Sequence, residues 1–155
     1  MSKKDGEKIV CSNREAGRHY SFEERYEAGM VLTGTEVKSL REGQAHLKDS
    51  YCDFRGDTEL YLISAHIAPY ALSKYFNHPP ERPRKLLLKK HELKRLLGKV
   101  SERGLTIVPL KIYFKNGRAK LEIALAKGKK MYDRREDIKK RDLQREMQRE
   151  AKYRR

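Results

Sequence analysis

The chain has 155 residues and carries 37 lysines and arginines against 22 aspartates and glutamates, a formal charge of +15 on a length that suits one domain with one core. Its longest apolar runs, such as Leu86-Leu87-Leu88, are too short for a transmembrane span, Asp5 and Glu7 stand where a signal peptide needs apolar residues, and Cys11 and Cys52 lack any zinc-binding spacing. A cytoplasmic protein with reduced cysteines, no membrane contact and no metal is expected.

Periodic apolar patterning runs from residue 8 to 126 and predicts a flexible N-terminus at 1–7, a folded domain at 8–126 and a basic tail at 127–155. Tyr20 to Leu32 reads as one extended strand, with Glu23, Glu24 and Glu27 as a solvated acidic face. Thr33-Gly34-Thr35-Glu36 fits a capping box, and Gly43 closes the short helix that follows. Ser50 to Arg55 and Glu59 to Ile67 read as strands around a turn at Gly56-Asp57. Asn77 to Pro83 must be a loop, because its three prolines continue neither regular structure. Leu93, Leu96, Leu97 and Val100 form one apolar stripe of a helix whose opposite side carries His91, Lys94, Arg95 and Lys99. A second hairpin, Thr106 to Phe114 and Ala119 to Ala126, turns at Asn116-Gly117. In its last strand Leu121, Ile123 and Leu125 point inward while Lys120, Glu122 and Ala124 point out. Pro109 predicts an edge strand or a bulge. Together these elements predict a mainly β domain, a small Greek-key barrel with short helices appended, for which the oligonucleotide-binding (OB) barrel is the common solution in a basic protein.

The charge is concentrated in two blocks. Residues 82–99 hold eight basic groups and one acid, and residues 127–155 hold thirteen basic groups and six acids, so each block contributes +7 and the rest of the chain +1. Such a field points to a polyanionic partner, nucleic acid first. In the tail Tyr132, Ile138, Leu143 and Met147 are too sparse to bury a face, while Glu136–Lys140 and Asp137–Arg141 are favourable i,i+4 pairs. The tail is expected to be disordered when free and helical once an RNA surface neutralises it.

No catalytic constellation is present. The sequence lacks GxxxxGK[ST], GxSxG and HExxH, and its histidines, His19, His46, His66, His78 and His91, are scattered. A binding protein without cofactor is expected rather than an enzyme. Lysine and arginine would take phosphates and tyrosine would stack on bases. Tyr132, set among Lys127, Lys129, Lys130, Arg134 and Arg135, is the leading aromatic candidate, with Gly128 allowing the backbone to approach a phosphate. The alternative is a tail that merely solubilises.

Several blocks carry a family resemblance: Tyr26-Glu27-Ala28-Gly29 through Gly34-Thr35-Glu36-Val37-Lys38-Ser39-Leu40-Arg41-Glu42-Gly43, then Asp49-Ser50-Tyr51, His66-Ile67-Ala68-Pro69-Tyr70, Arg84-Lys85-Leu86-Leu87-Leu88, Val108-Pro109-Leu110 with Tyr113-Phe114, and Ala126-Lys127-Gly128-Lys129-Lys130. In that order, over roughly residues 12 to 141, they resemble the small protein B family of bacterial proteins that bind transfer-messenger RNA (tmRNA). The resemblance implies an OB-type barrel with a tail mobile until bound. It also implies binding to the transfer-RNA-like part of tmRNA and delivery of that RNA, with elongation factor Tu and GTP, to stalled ribosomes. There the tail would probe the empty messenger channel against small-subunit ribosomal RNA, and the unfinished product would be tagged. The alternative is a ribosomal or assembly protein of the same barrel type.

By the same resemblance Asn13, Glu27, Leu87 and Lys120 match the family's tmRNA-binding positions. Lys120 suits a phosphate. Asn13 suits a base edge or sugar, or else a turn. Glu27 either accepts from a base or holds a neighbouring cation in place. Leu87 either packs beneath a base or, as the default for a leucine, lies in the core. Between Asn13 and Tyr20 the pattern departs from the family: Arg18 takes the place of its histidine, and His19 comes one residue later, which in an extended strand is the other face. Lys127, Gly128, Lys129, Lys130, Tyr132, Asp133, Arg134 and Arg135 look like the family's decoding-centre segment, with Tyr132 stacking on ribosomal RNA.

Overall fold

The structure, a computed structural model, describes residues 7–129, 139 and 141–149. Among the described residues up to 129 the elements follow in the order β1 Lys8–Ser12, α1 Ala16–His19, β2 Tyr20–Met30, α2 Gly34–Arg41, β3 Ala45–His46, β4 Tyr51–Arg55, β5 Glu59–Ile63, β6 His66–Ile67, β7 Arg84–Leu87, α3 Lys90–Arg103, β8 Thr106–Lys115 and β9 Arg118–Gly128. All strand pairs are antiparallel. The chain of pairings β8-β4-β5-β7-β2-β9 returns from β9 to β8, which closes a barrel of the expected OB type, and β1 adds to β8 beside β4. Closure removes the free edges that an open sheet of this size would expose.

Local chemistry explains the elements. Asn116 and Gly117 both take positive φ, 51° and 76°, as a two-residue hairpin turn between β8 and β9 requires. Thr33 caps α2 through the Glu36 N–H, and Glu36 reaches back to the Thr33 N–H at 2.8 Å. Leu60, Leu62, Leu86, Leu121, Ile123 and Leu125 fill the interior, and Leu96 of α3 enters the same core.

Three expectations change, and for Pro109 one of the two alternatives is realised. The run Glu59 to Ile67 is broken at Ser64, whose φ of +62° ends β5 and sends β6 to pair with β3 in a separate two-stranded sheet. Pro109 lies in an interior strand, not at an edge; the register shift between Pro109 and Lys111 is the bulge alternative. Ala124 is not solvent-facing: it and Ala126 are fully buried, and Ala126 packs with Ala16 and Val108 in a second small cluster. Finally, β9 runs through Gly128, so Lys127 and Gly128, expected as the first tail residues, are barrel residues paired with Ser21 and Tyr20.

Residues 141–149 are helical and exposed at every position, consistent with a segment too poor in apolar groups to bury a face. Among the described residues no helix is long and apolar enough to cross a membrane, and no group of three metal-ligating side chains occurs.

Candidate nucleic-acid interface

Strand register builds the site. Leu87 of β7 lies opposite Gly29 of β2, Gly29 opposite Lys120 of β9, and Lys120 opposite Tyr113 of β8. These four positions form a transverse row across adjacent strands, about 14 Å long at the usual strand spacing. Leu87 is 52% exposed, against the core position that is the default for a leucine. The cause is the alternation of β7: Arg84 and Leu86 take the inward positions, which turns Leu87 out. Gly29 leaves a gap in the row, and a Cβ there would touch Leu87 Cβ at 3.4 Å.

Glu27 stands two residues from Gly29 on the same strand face. Its carboxylate accepts the Tyr113 hydroxyl and lies 3.4 Å from Lys115 Nζ. The Tyr113 hydrogen bond, with Lys115 and Lys120 adding, holds the Glu27 carboxyl below its usual range. Burial, followed by that carboxylate, pushes the Tyr113 phenol up, and Lys111 Nζ sits 5.3 Å over its ring. Of the two roles open to Glu27, this geometry supplies the holding one, extended from a cation to a tyrosine. Glu23 and Glu27 are exposed, as expected of a solvated acidic face, and Glu24 is half-buried; all three also meet cations, Glu23 with Arg103 at 3.9 Å, Glu24 with Arg95, and Glu27 with Lys115. Arg95, then Tyr26, draw the Glu24 carboxyl down to about 2.

Asn13 and Arg18 lie elsewhere. Asn13 donates its backbone N–H to Leu110 O at 2.7 Å and its side-chain amide to Pro109 O at 3.0 Å, so it satisfies the carbonyls of the β8 bulge. Residues 16–19 form the helical turn α1, not extended strand, so the two-face distinction between Arg18 and His19 does not apply and both are exposed. Lys129 joins them: its N–H donates to His19 O at 2.8 Å and its Nζ to Gly17 O at 3.1 Å. Arg18, His19, Lys127 and Lys129 therefore gather at the Tyr20 end of β2, about 30 Å of extended chain from Gly29. Lys130, Tyr132, Asp133, Arg134 and Arg135 lie outside the described residues.

The block at 82–99 divides in two. Arg82 and Arg84 bind Glu36, Lys85 approaches Glu59 at 3.7 Å, and Arg95 binds Glu24. Among the described residues Lys89, Lys90, Lys94 and Lys99 make no ion pair, which leaves α3 with a basic surface. The sequence does not single out Tyr113 and Lys115, which the fold brings to Glu27. The alternation of β8 across its bulge was the available signal.

A family model described as SmpB protein matches residues 10–153. The chain belongs to the SmpB family. It is 55% identical over 149 residues to the SsrA-binding protein of Desulforudis audaxviator, covering 96% of this chain and 97% of that one. With the SsrA-binding protein of Geobacter sulfurreducens it shares 56% identity over 142 residues, 92% of each chain. It also superimposes on a chain from a solved structure headed "tmRNA-SmpB: a journey to the center of the bacterial ribosome", with a TM-score of 0.64 and 55% identity, over 77% of this chain and 84% of that one. The two SsrA-binding proteins match this chain over nearly their whole length, and the solved chain shares its fold over most of its own.

Proposed function

We propose that the protein is an RNA-binding adapter that holds the transfer-RNA-like domain of tmRNA and delivers it to stalled ribosomes in the cytoplasm, where the unfinished product is tagged. The observation that carries this reading is the row Leu87–Gly29–Lys120–Tyr113, with Glu27 bracing it, on the outer face of a closed basic barrel. An apolar Leu87 and an ammonium two strands away across Gly29, about 10 Å at the usual strand spacing, suit an unstacked base and its phosphate. Asn13 and Arg18, with Lys127 and Lys129, would form a second contact at the far end of β2. Lys130, Tyr132, Asp133, Arg134 and Arg135 would enter the empty messenger channel and meet small-subunit ribosomal RNA. Elongation factor Tu and GTP would join through the aminoacylated RNA. The protein would supply no catalytic group of its own, and no cofactor.

The test is equilibrium binding of the full chain to the purified transfer-RNA-like domain across a salt series. Tight one-to-one binding with a steep slope, about 0.7–0.9 log unit per phosphate engaged, is expected. Recovery of the protein only in ribosomal subunits, with no complex on the isolated RNA, would return it to the ribosomal-protein alternative.

A further inference from the structure

Residues 70–77 form a loop that is ordered at its base and apolar at its tip. Asn77 clamps the base, accepting the Tyr70 N–H at 3.1 Å and donating to Tyr70 O at 2.9 Å. The tip displays Leu72, Tyr75 and Phe76 to solvent at 73%, 99% and 67% exposure. Exposed aromatic groups on a fixed loop mark an interaction surface, because nothing in the fold is gained by displaying them. Between this loop and the first turn of α2 lies a groove of about 570 Å³. Its lining includes Lys38 and Lys74 and no acidic residue, and Lys38 Nζ stands 5.5 Å over the Tyr70 ring. The α2 wall is fixed too: the Thr35 hydroxyl meets His78 Nδ1 at 2.9 Å, while His78 Nε2 donates to Ile67 O at 2.9 Å.

We infer that this groove takes an unpaired nucleotide of the same RNA that crosses the Leu87–Lys120 row. Aromatic faces with two lysines and no carboxylate complement a base and its phosphate, whereas an apolar peptide would have no use for that charge. Continuity selects the same RNA. Thr33, at the groove's rim, is four residues from Gly29, at most about 14 Å of chain. Val31 lies between them, 45% exposed and still paired to β7 through its N–H on Lys85 O at 3.0 Å, and it extends the surface begun by Leu87. A single strand lying on Leu87 would run past Val31 into the groove, with Tyr75 or Phe76 stacking on its base.

The inference rests on the adapter reading, and the experiment separates the two. The full chain is titrated with the purified transfer-RNA-like domain as wild type, Tyr75→Ala/Phe76→Ala, Tyr75→Phe and Lys120→Ala. Losing a stacked base is expected to weaken binding of the double variant roughly five- to hundredfold. Tyr75→Phe, which keeps the ring, should bind as wild type. Both substituted side chains are solvent-exposed, so unchanged thermal melting is expected and confirms that folding is intact. If Lys120→Ala weakens binding and the double variant does not, the groove serves something other than this RNA and the inference falls while the adapter reading stands. If the double variant alone weakens binding, the groove stands and the row's role falls. If neither does, both fall.

Discussion

Glu36 Oε2 accepts from Arg84 Nε at 2.6 Å, and neither side chain has any solvent exposure. Arg82 Nη2 reaches the other oxygen at 2.5 Å, and the remaining Arg84 donors satisfy Ala65 O at 2.7 Å and Pro80 O at 2.9 Å. One carboxylate thus ties α2 to β7 and, through the arginines, to the proline-rich loop. Replacing it strands a buried guanidinium and removes half of the α2 capping box. Glu36→Ala is therefore expected to cost about 3–5 kcal/mol of unfolding free energy, measured by urea denaturation.

The same pair sets an acid limit. Burial by itself would raise the Glu36 carboxyl, but Arg82, the Thr33 N–H and Arg84 outweigh it and leave its pKa below the ordinary 4.5. A carboxyl lowered in the folded state adds stability that is fully present above its unfolded value and is lost as pH falls through the folded one. Wild-type stability should decline on acidification below about 4.5, and Glu36→Gln, less stable at neutrality, should decline less steeply. Urea midpoints across that pH range decide it; parallel declines would remove Glu36 from the acid response.

Glu27 offers a double-mutant test. If it acts by holding Tyr113 and Lys115, then Glu27→Gln and Tyr113→Phe interrupt one device, and their effects on RNA binding should not add. Each alone is expected to weaken binding by about tenfold, or 1.4 kcal/mol, and the pair by little more. Additive losses would mean that Glu27 touches a base directly.

Lys120 and Leu87 should separate by salt. Lys120→Ala removes one phosphate partner and is expected to lower the slope of log K against log salt by about 0.7–0.9. Leu87→Ala removes an exposed apolar contact and should reduce affinity at every salt concentration with the slope unchanged. Binding isotherms over a salt series give both quantities from the same measurement.

Signals that act within a few residues are legible in the sequence alone. The Asn116-Gly117 turn and the Thr33–Glu36 capping box each specify backbone geometry locally, and both occur as read. What the sequence conceals depends on distant partners. Leu87 looks like its neighbours Leu86 and Leu88 until pairing with Gly29 fixes which way β7 turns. Glu23, Glu24 and Glu27 show no partners in the sequence; α3 and β8 bring Arg103, Arg95 and Lys115 to them at the surface. Half of the basic block at 82–99 is likewise taken up by acids far away in the chain. The short turn α1 carries no periodicity to detect, and Lys129 secures it from more than a hundred residues away.

That last contact changes where the tail can be cut. Ending the chain after Ala126 removes the pairings of Lys127 with Ser21 and Gly128 with Tyr20, together with both Lys129 bonds to α1. Ending it after Lys129 keeps the pairings and retains the α1 contacts. The longer truncation product is expected to bind the transfer-RNA-like domain within about tenfold of the full chain, because the Leu87–Lys120 row is intact. It should nevertheless fail to support peptide tagging, since Tyr132 and the basic residues around it are gone. The shorter product should fail in tagging as well and should also melt lower, with α1 and the Arg18 region loosened. Thermal melts, RNA titration and reconstituted tagging on all three chains separate these effects. If the product ending at Lys129 tags normally, the tail has no decoding-centre role; if it no longer binds the isolated RNA, domain and tail do not divide the work between them.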